Sequence, residues 1–427
     1  VVEKKIRMGE LLDRILTSAN LRAAHARVVA NQGSAGVDGM EVGELKPHLN
    51  QNWKQIEVAL KTGKYEPQPV RRVEIPKPGG GMRKLGIPTV TDRFIQQAIA
   101  QELSKEYEPT FSPHSFGFRP GLSAHDGVKQ AECYINEGYE YVVEMDLEKF
   151  FDTVNHDYLM QRIAQRISDK EVLRLIRRYL QAGVMENGVA VASEEGTPQG
   201  GPISPLLANI LLDELDKELE IRNHRFVRYA DDINIYVKTQ RAAERVKTSI
   251  SQHLEKKMKL RVNKEKTSIK TPDKAKILGF SFGKTKGQTK WFIQVASGSI
   301  KRLKGKLKEL TNRSRSENMQ QRIRSVNHLL RGWSGYFSLG KSNAITGVEE
   351  FLRTRLRVIK WKEWKTIPTR VDELIKLGVP KVKAIPFACT RKGYARIAHS
   401  PILTKSLTND YFKSIGLLQL SLRFQWK

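Results

Sequence analysis

Apolar residues recur every three or four positions through "GELLDRILTSANLRAAHARVVA", which predicts helices at the start of the chain until the turn-rich "NQGSAGVDGM" interrupts the period. After Tyr65 the pattern shortens. "QPVRRVEIPKPGGGMRKLGIPTV" alternates strand-like pieces with Pro and Gly and predicts a β-hairpin with its tip at "KPGGGMRK". A helix is expected around "DRFIQQAIAQEL", and "YVVEMDLEKFFD" begins as a buried strand, Tyr141 to Met145, that ends on a carboxylate. "GTPQGGPISPLLANILLDELDKEL" reads as a glycine-rich loop entering a helix, with Ser204 as the N-cap and Pro205 at the first helical position. "FVRYADDINIYV", Phe226 to Val237, predicts the next hairpin. Past about residue 295 the pattern is helical again. Ile300, Leu303, Leu307 and Leu310 share one face of "SIKRLKGKLKEL", and lysines and Arg302 fill the rest. With "QRIRSVNHLLRGWSGYF" and "VEEFLRTRLRVIKWKEW" this predicts a small bundle with cationic outer faces, followed from Thr369 by a short basic tail of helices and turns. No repeat or low-complexity linker is evident.

Length and charge narrow the function classes. The 427 residues suit two to four domains. Lys+Arg 74 against Asp+Glu 46 leaves a formal charge of +28, an imbalance whose commonest use is neutralising a polyanion. Nucleic acid leads, and an anionic membrane surface is second. No apolar run reaches the roughly 18 to 20 residues of a spanning helix, and "VVEKKIRMGELLDRIL" has no signal-peptide pattern, so a soluble intracellular protein is expected. Cys133 and Cys389 are too few for a disulfide framework or a Cys-rich zinc module and read as reduced thiols.

Candidate chemistry starts from the adjacent carboxylates Asp231 and Asp232. Alone, such a pair is most often a solvated turn, because Asp is a favoured turn residue. Asp146, at the end of another strand-like run, changes that reading. Three carboxylates meeting on one sheet would repel one another strongly in a partly desolvated site, so their convergence makes sense mainly around a cation. Hard oxygen ligands suit Mg²⁺. Two such ions, roughly 3.5 to 4 Å apart, would activate an attacking hydroxyl and stabilise leaving pyrophosphate. The implied reaction is in-line phosphoryl transfer.

Eight ordered blocks then carry a family resemblance: "NQGSAGVDG", "RRVEIPKPGGGMRKLGIPTVTDRFIQQAI", "SFGFRPGLSAHDGV", "MDLEKFFDTVNHD", "GTPQGGPISPLLANILLDELD", "RYADD", "LRVNKEKT" and "ILGFSF". The chain closely resembles the reverse transcriptases encoded by bacterial group II introns. The resemblance implies an α+β right-hand polymerase: an N-terminal helical extension over 1–62, fingers over 63–140, an antiparallel palm over 141–294, a helical thumb over 295–368 and a basic helical C-terminal domain over 369–427. It implies two Mg²⁺ per active site, with Mn²⁺ as a substitute, held by Asp146, Asp231, Asp232 and the Leu147 carbonyl. Phe151 matches the aromatic that excludes a ribonucleotide 2′-hydroxyl, and Phe150 is the better core candidate of the two.

Other matches leave alternatives open. Lys77 and Arg83 would fold over the incoming triphosphate, or form a solvated basic turn. Gln199 would approach the nascent base pair, or belong to a plain glycine-rich turn. Arg119 would contact template or nucleotide, or be structural. Lys266, with Lys264 as rival, would protonate pyrophosphate, or be a surface lysine. Leu278, Gly279 and Phe280 match a primer-supporting hairpin. His125 and His156 read as structural.

Implied partners are an RNA template with a DNA primer, dNTPs, group II intron RNA and target DNA, with no membrane. The expected location is the bacterial cytoplasm, at the nucleoid in use. The tail resembles the family's intron-binding domain, so maturase activity is implied. A cysteine-paired C-terminal nuclease domain and an RNase H-like carboxylate set are not expected from these residues. The alternatives are a domesticated relative used in DNA repair or defence, and a non-catalytic RNA-binding splicing factor; the three intact aspartates disfavour the second.

Overall fold

In a computed structural model of the chain, the structure is described for residues 9–76, 81–186, 189–191, 200–285, 287, 289–341 and 343–424. These fall into two compact units divided between Ala275 and Lys276.

The first unit opens with helices α1 (Glu10–Ile15), α2 (Ser18–Ala30) and α3 (Leu45–Lys61). Strands β1 (Val70–Pro76) and β2 (Met82–Ile87) form the expected hairpin, with Arg71 paired to Ile87 and Pro76 to Met82. Helix α4 (Val90–Tyr107) follows and is buried on most sides, which suits its central place. Its start is fixed by Thr89, which caps the Asp92 amide, while the Asp92 carboxylate accepts from Thr89, the Tyr65 hydroxyl and the Gln68 amide. Burial pushes the Asp92 pKa above the usual carboxylate range. Three donors on one buried carboxylate thus tie the chain after α3 to the first turn of α4.

Helix α5 (Ala124–Asn136) starts at a reciprocal capping box between Ser123 and Asp126. Then come β3 (Tyr141–Met145), the short α6 (Phe150–Thr153), α7 (His156–Ala164), α8 (Lys170–Gln181), β4 (Val184–Glu186) and β5 (Val189–Val191). Strand β4 joins β1 in parallel, giving a mixed sheet ordered β2-β1-β4-β5.

Helix α9 (Ser204–Ile221) starts one residue earlier than expected. Ile203 holds the cap position and Ser204 is already helical, because the Ser204 amide bonds back to the Gly201 carbonyl at 3.2 Å. Strands β6 (Arg225–Tyr229) and β7 (Asp232–Val237), helix α10 (Gln240–Gln252) and strand β8 (Ser268–Lys270) complete the unit. The second sheet is fully antiparallel, ordered β6-β7-β3-β8, and buries the β-branched run of "DINIYV".

The second unit begins with a hairpin of β9 (Phe280–Lys284) and β10 (Trp291–Val295). Helices α11 (Ser297–Leu310), α12 (Met319–Phe337) and α13 (Ala344–Glu363) follow, as the periodicity predicts. Ile300, Leu303 and Leu307 are buried in their shared core and Leu310 is half-buried against it, so the lysine-rich face of α11 is left outside. The buried Arg322 guanidinium holds the α11–α12 connection by donating to the carbonyls of Leu310, Asn312, Arg315 and Glu317. Five short helices close the unit: α14 (Ile367–Lys376), α15 (Lys381–Ala388), α16 (Tyr394–Ala398), α17 (Pro401–Ser406) and α18 (Asn409–Ser414). Arg357 of α13 donates to the Leu407 carbonyl at 3.1 Å and fixes the tail to the bundle.

Each unit has its own apolar core, so a cavity in one should be felt mainly there. Leu303→Ala removes a side chain only 1% exposed and is expected to destabilise the second unit by about 2–5 kcal/mol. Hydrogen exchange should show loss of protection confined to residues after Lys276; equal loss across α4 and α9 would contradict separate cores.

Candidate active site

The antiparallel sheet gathers the aspartates. Strands β3 and β7 pair from Tyr141 with Val237 to Met145 with Ile233, and one further step of that register sets Asp146 opposite Asp232. Strands β6 and β7 close on the pair Tyr229–Asp232, so Ala230 and Asp231 form a two-residue hairpin loop. All three carboxylates therefore stand at one end of one sheet.

Their charges interact. The Asp232 pKa is pushed up to about 6, first by the surrounding protein, then by the charges of Asp231, Asp146 and Glu144. Asp232 is nonetheless exposed, so water reaches its carboxylate. The Lys266 ammonium lies 3.8 Å from Asp146 Oδ1 and partly compensates these charges. Among the described residues no group of three or more His, Cys, Asp or Glu side chains is already drawn in to metal-binding distance. Repulsion between like charges opposes that closer approach until a cation offsets it.

Asp146 itself is held by backbone bonds. Its amide donates to Thr267 Oγ1 at 3.2 Å, its carbonyl accepts from the Asn263 amide at 2.9 Å, and the Glu148 amide donates to the Arg261 carbonyl at 2.8 Å. Those bonds flank the isolated bridge between Leu147 and Val262 and use the residues on either side of Leu147. The amide and carbonyl of Leu147 are thereby directed away from Val262. With three carboxylates and this carbonyl, the donor set is all hard oxygen and fits a divalent cation of the Mg²⁺ kind.

Beyond Leu147, Lys149 adopts a left-handed backbone, φ +46°, and turns the chain into α6. Phe150 is buried and Phe151 half-buried, their rings 5.2 Å apart edge to face. The core role falls to Phe150, and Phe151 keeps an accessible face.

The aspartate loop rests on a network that sequence reading missed. Ala230 is buried with φ +56°, a backbone that costs a residue with a Cβ roughly 1–2 kcal/mol. Arg228, fully buried, offsets that cost. Its Nη1 donates to the Ala230 carbonyl at 3.1 Å and to Asn209 Oδ1 at 2.8 Å, while Nε and Nη2 meet the buried carboxylate of Asp216, with Nη2 to Oδ2 at 2.6 Å. Asn209 Nδ2 continues to the Gly117 carbonyl at 2.8 Å. Gly117 lies directly against the loop: a Cβ there would sit 2.4 Å from the Ala230 nitrogen and 2.9 Å from the Tyr229 carbonyl carbon. The signals were visible in hindsight. Asn209 and Asp216 are polar residues two turns apart, both buried on a helix that buries most of its length, and Arg228 interrupts a strand that is buried on both faces.

The other expected residues are distributed as follows. Arg119 spends its donors on its own loop: Glu108 Oε1 at 2.8 Å and the carbonyls of Ser112 at 2.5 Å and Ser115 at 2.8 Å, with its guanidinium 5.5 Å from the centre of the Phe111 ring. The exposed ring beside it is Phe118, 6.1 Å from Tyr229. Lys77, Gln199 and the Arg83 side chain lie outside the described residues. Next to Gln199, a Cβ on Gly200 would meet the Gly86 carbonyl oxygen at 2.5 Å, and one on Gly201 would meet Gln96 Oε1 at 2.3 Å. Only glycine lets this loop pass between β2 and α4. In the second unit, Leu278 and Gly279 both have positive φ, and Gly279 packs on the Phe337 ring and Ser299.

Comparison with known proteins bears on this geometry. Residues 75–282 match the family described as reverse transcriptase (RNA-dependent DNA polymerase), and residues 300–377 match the group II intron maturase-specific domain. Over 308 residues the chain is 33% identical to protein YkfC of Escherichia coli (strain K12), covering 62% of this chain and 81% of that protein. The chain belongs to the group II intron-encoded reverse transcriptases.

This reverse transcriptase is also 41% identical over 195 residues to the group II intron-encoded protein LtrA of Lactococcus lactis subsp. cremoris. That match covers 45% of this chain and 32% of LtrA, so the chain spans about a third of that relative's length. A retron Ec73 reverse transcriptase from Escherichia coli is 27% identical over 182 residues, 39% of this chain and 53% of that one. The polymerase match takes in the aspartates and the whole Arg228 network, and the family's chemistry is divalent-metal catalysis.

Gly117→Ala should force the aspartate loop aside. Single-turnover primer extension is expected to fall at least tenfold, about 1.4 kcal/mol, with cooperative unfolding retained. Wild-type rates from that variant would remove the loop-setting role of Gly117. Asp216→Ala leaves Arg228 buried and unpaired and should cost about 3–5 kcal/mol in urea unfolding.

Proposed function

We propose that this reverse transcriptase copies RNA into DNA by two-metal phosphoryl transfer, with Mg²⁺ as its ion and Mn²⁺ as a substitute, held by Asp146, Asp231, Asp232 and the Leu147 carbonyl. The observation that carries this reading is the β3–β7 register, which sets Asp146 opposite Asp232 beside the Ala230–Asp231 loop, in a site where burial and the neighbouring carboxylates raise the Asp232 pKa. When bound, the ions supply an activated primer hydroxyl and charge stabilisation for leaving pyrophosphate. The chain's own residues orient those oxygens. Arg228 and Gly117 fix the loop, and the Thr267 and Asn263 bonds fix Asp146.

Substrate roles follow. The accessible face of Phe151 excludes a 2′-hydroxyl by bulk and favours dNTPs. Lys77 and Arg83 at the β1–β2 tip close on the triphosphate, and Gln199 approaches the nascent pair, supported by the tight passage of Gly200 and Gly201. Lys266, beside Asp146, protonates departing pyrophosphate. Arg119 acts on template or nucleotide by shaping the loop that presents Phe118, since its own donors are engaged within that loop.

The cationic helices of the second unit hold the RNA template and DNA primer through their phosphates, and the maturase-specific segment binds intron RNA during splicing and insertion into target DNA. The working location is the bacterial cytoplasm. No helix among the described residues is long and apolar enough to cross a membrane.

Primer extension on an RNA template with dNTPs is the direct test. Activity should vanish with EDTA and return with Mg²⁺. Asp231→Ala should lose at least a thousandfold, about 4 kcal/mol of transition-state stabilisation. Extension by that variant at the wild-type rate would end the metal assignment. Phe151→Ala should raise rNTP incorporation relative to dNTP; unchanged sugar selectivity would remove its gating role.

A further inference from the structure

At the end of the palm sheet opposite the aspartates, a hollow of about 420 Å³ opens between the start of β6, the end of β7 and helix α10. Its rim carries four cations from four elements: Arg222 at the end of α9, Arg225 at the start of β6, Lys238 just after β7 and Arg245 on α10. Arg225, Lys238 and Arg245 are exposed. Arg222 is partly neutralised by Glu218 at 2.6 Å and also reaches Ser249 Oγ at 3.3 Å. His224 in the wall is kept neutral, its pKa lowered by burial and then by Arg222.

Two of the cations are braced by rings. Arg225 lies 5.9 Å from the centre of the Tyr134 ring, and Lys238 lies 5.4 Å from that of Tyr139. Such stacking steadies a long side chain without consuming its N–H donors. The floor is Tyr236 and Val237, with Asn223 beside them as a neutral donor. Among the described residues none of Arg225, Lys238 and Arg245 has a carboxylate within ion-pair distance, and three such cations around a shallow apolar floor do not suit a protein surface, whose packing would have to desolvate them. They suit a strand of phosphates, which stays hydrated and binds by releasing counterions.

The hollow is separate from the aspartate site. Arg225 pairs with Tyr236 at one end of β6, and Tyr229 pairs with Asp232 at the other. Four residue steps of about 3.3 Å put the two ends roughly 13 Å apart through the sheet, facing opposite ends of it.

We propose that this hollow is a second nucleic-acid site, which takes the phosphodiester backbone of a structured strand other than the template–primer. Recognition is by charge, through Arg225, Lys238 and Arg245, with Arg222 and Asn223 supplementing it. It extends the polymerase reading without depending on nucleotidyl transfer.

The test compares the full chain with the triple variant R225E/K238E/R245E and with its milder counterpart R225Q/K238Q/R245Q. A long hairpin RNA, and a DNA hairpin of the same sequence, are titrated at several salt concentrations. Extension is measured on a short template–primer duplex. The expected result is a salt-dependence slope smaller by about 2 and a tenfold or greater loss of affinity for the hairpin, with extension on the short duplex unchanged. Loss for RNA and DNA alike identifies pure backbone recognition, and loss for one arm alone names the strand that uses the site. An unchanged slope in both triple variants overturns the proposal. A fall in short-duplex affinity equal to the fall for the hairpin also overturns it, by placing these cations on the template–primer path. A failed polymerase reading would appear as absent extension in the wild type and leave the slopes untouched.

Discussion

The buried guanidinium of Arg228 is the constraint on which the active end of this molecule depends. A charge with no exposure is costly unless every donor finds a partner, and here the partners come from two separate parts of the chain: Asp216 and Asn209 on α9, and the Ala230 carbonyl in the loop between β6 and β7. Such a pair contributes little net stability compared with well-packed apolar side chains, but it permits very few geometries. Through Asn209 it also holds the Gly117 segment, whose neighbours Phe116 and His114 exchange backbone bonds with Arg228. The left-handed Ala230 is tolerated because the structure around it leaves no alternative.

That rigidity serves an electrostatic purpose. In a chain of formal charge +28, three aspartates are brought to one end of one sheet, where burial first and the charges of Asp231, Asp146 and Glu144 second raise the Asp232 pKa to about 6. A flexible loop would relax by moving the carboxylates apart. A loop braced by Arg228 resists that separation, and a cation would offset the remaining repulsion. In divalent-metal phosphoryl transfer such preorganised positioning and electrostatics do most of the catalysis, without covalent chemistry.

Positive charge is distributed in a complementary way. The lysine-rich faces of the helices in the second unit and the ring-braced cations at the far end of the palm sheet leave cationic surfaces exposed to solvent. The carboxylates are the acidic exception, gathered at the opposite end of that sheet. Binding by counterion release is independent of base sequence, which suits both copying and the handling of a folded RNA.

How much of this could be read in advance follows physical lines. The hairpin at "KPGGGMRK", the strand Tyr141–Met145, the basic face of α11 and the aspartates at strand ends were legible, because periodicity, turn chemistry and local charge are properties of neighbouring residues. The start of α9 was misplaced by one residue, because the Gly201 carbonyl reaches the Ser204 amide through a turn that the side chains did not signal. Arg119 illustrates the same boundary: its sequence admits a ligand-binding or a structural role, and only the folded loop shows its donors turned onto Glu108, Ser112 and Ser115. By itself the sequence determined the elements, the excess of cations and the acidic exceptions, since these depend on short-range pattern and composition. Only the tertiary structure decided that Asp146 faces Asp232, that Gly117 must be glycine and that Arg228 is a buried keystone, because each rests on pairing between segments distant along the chain, which no local pattern encodes.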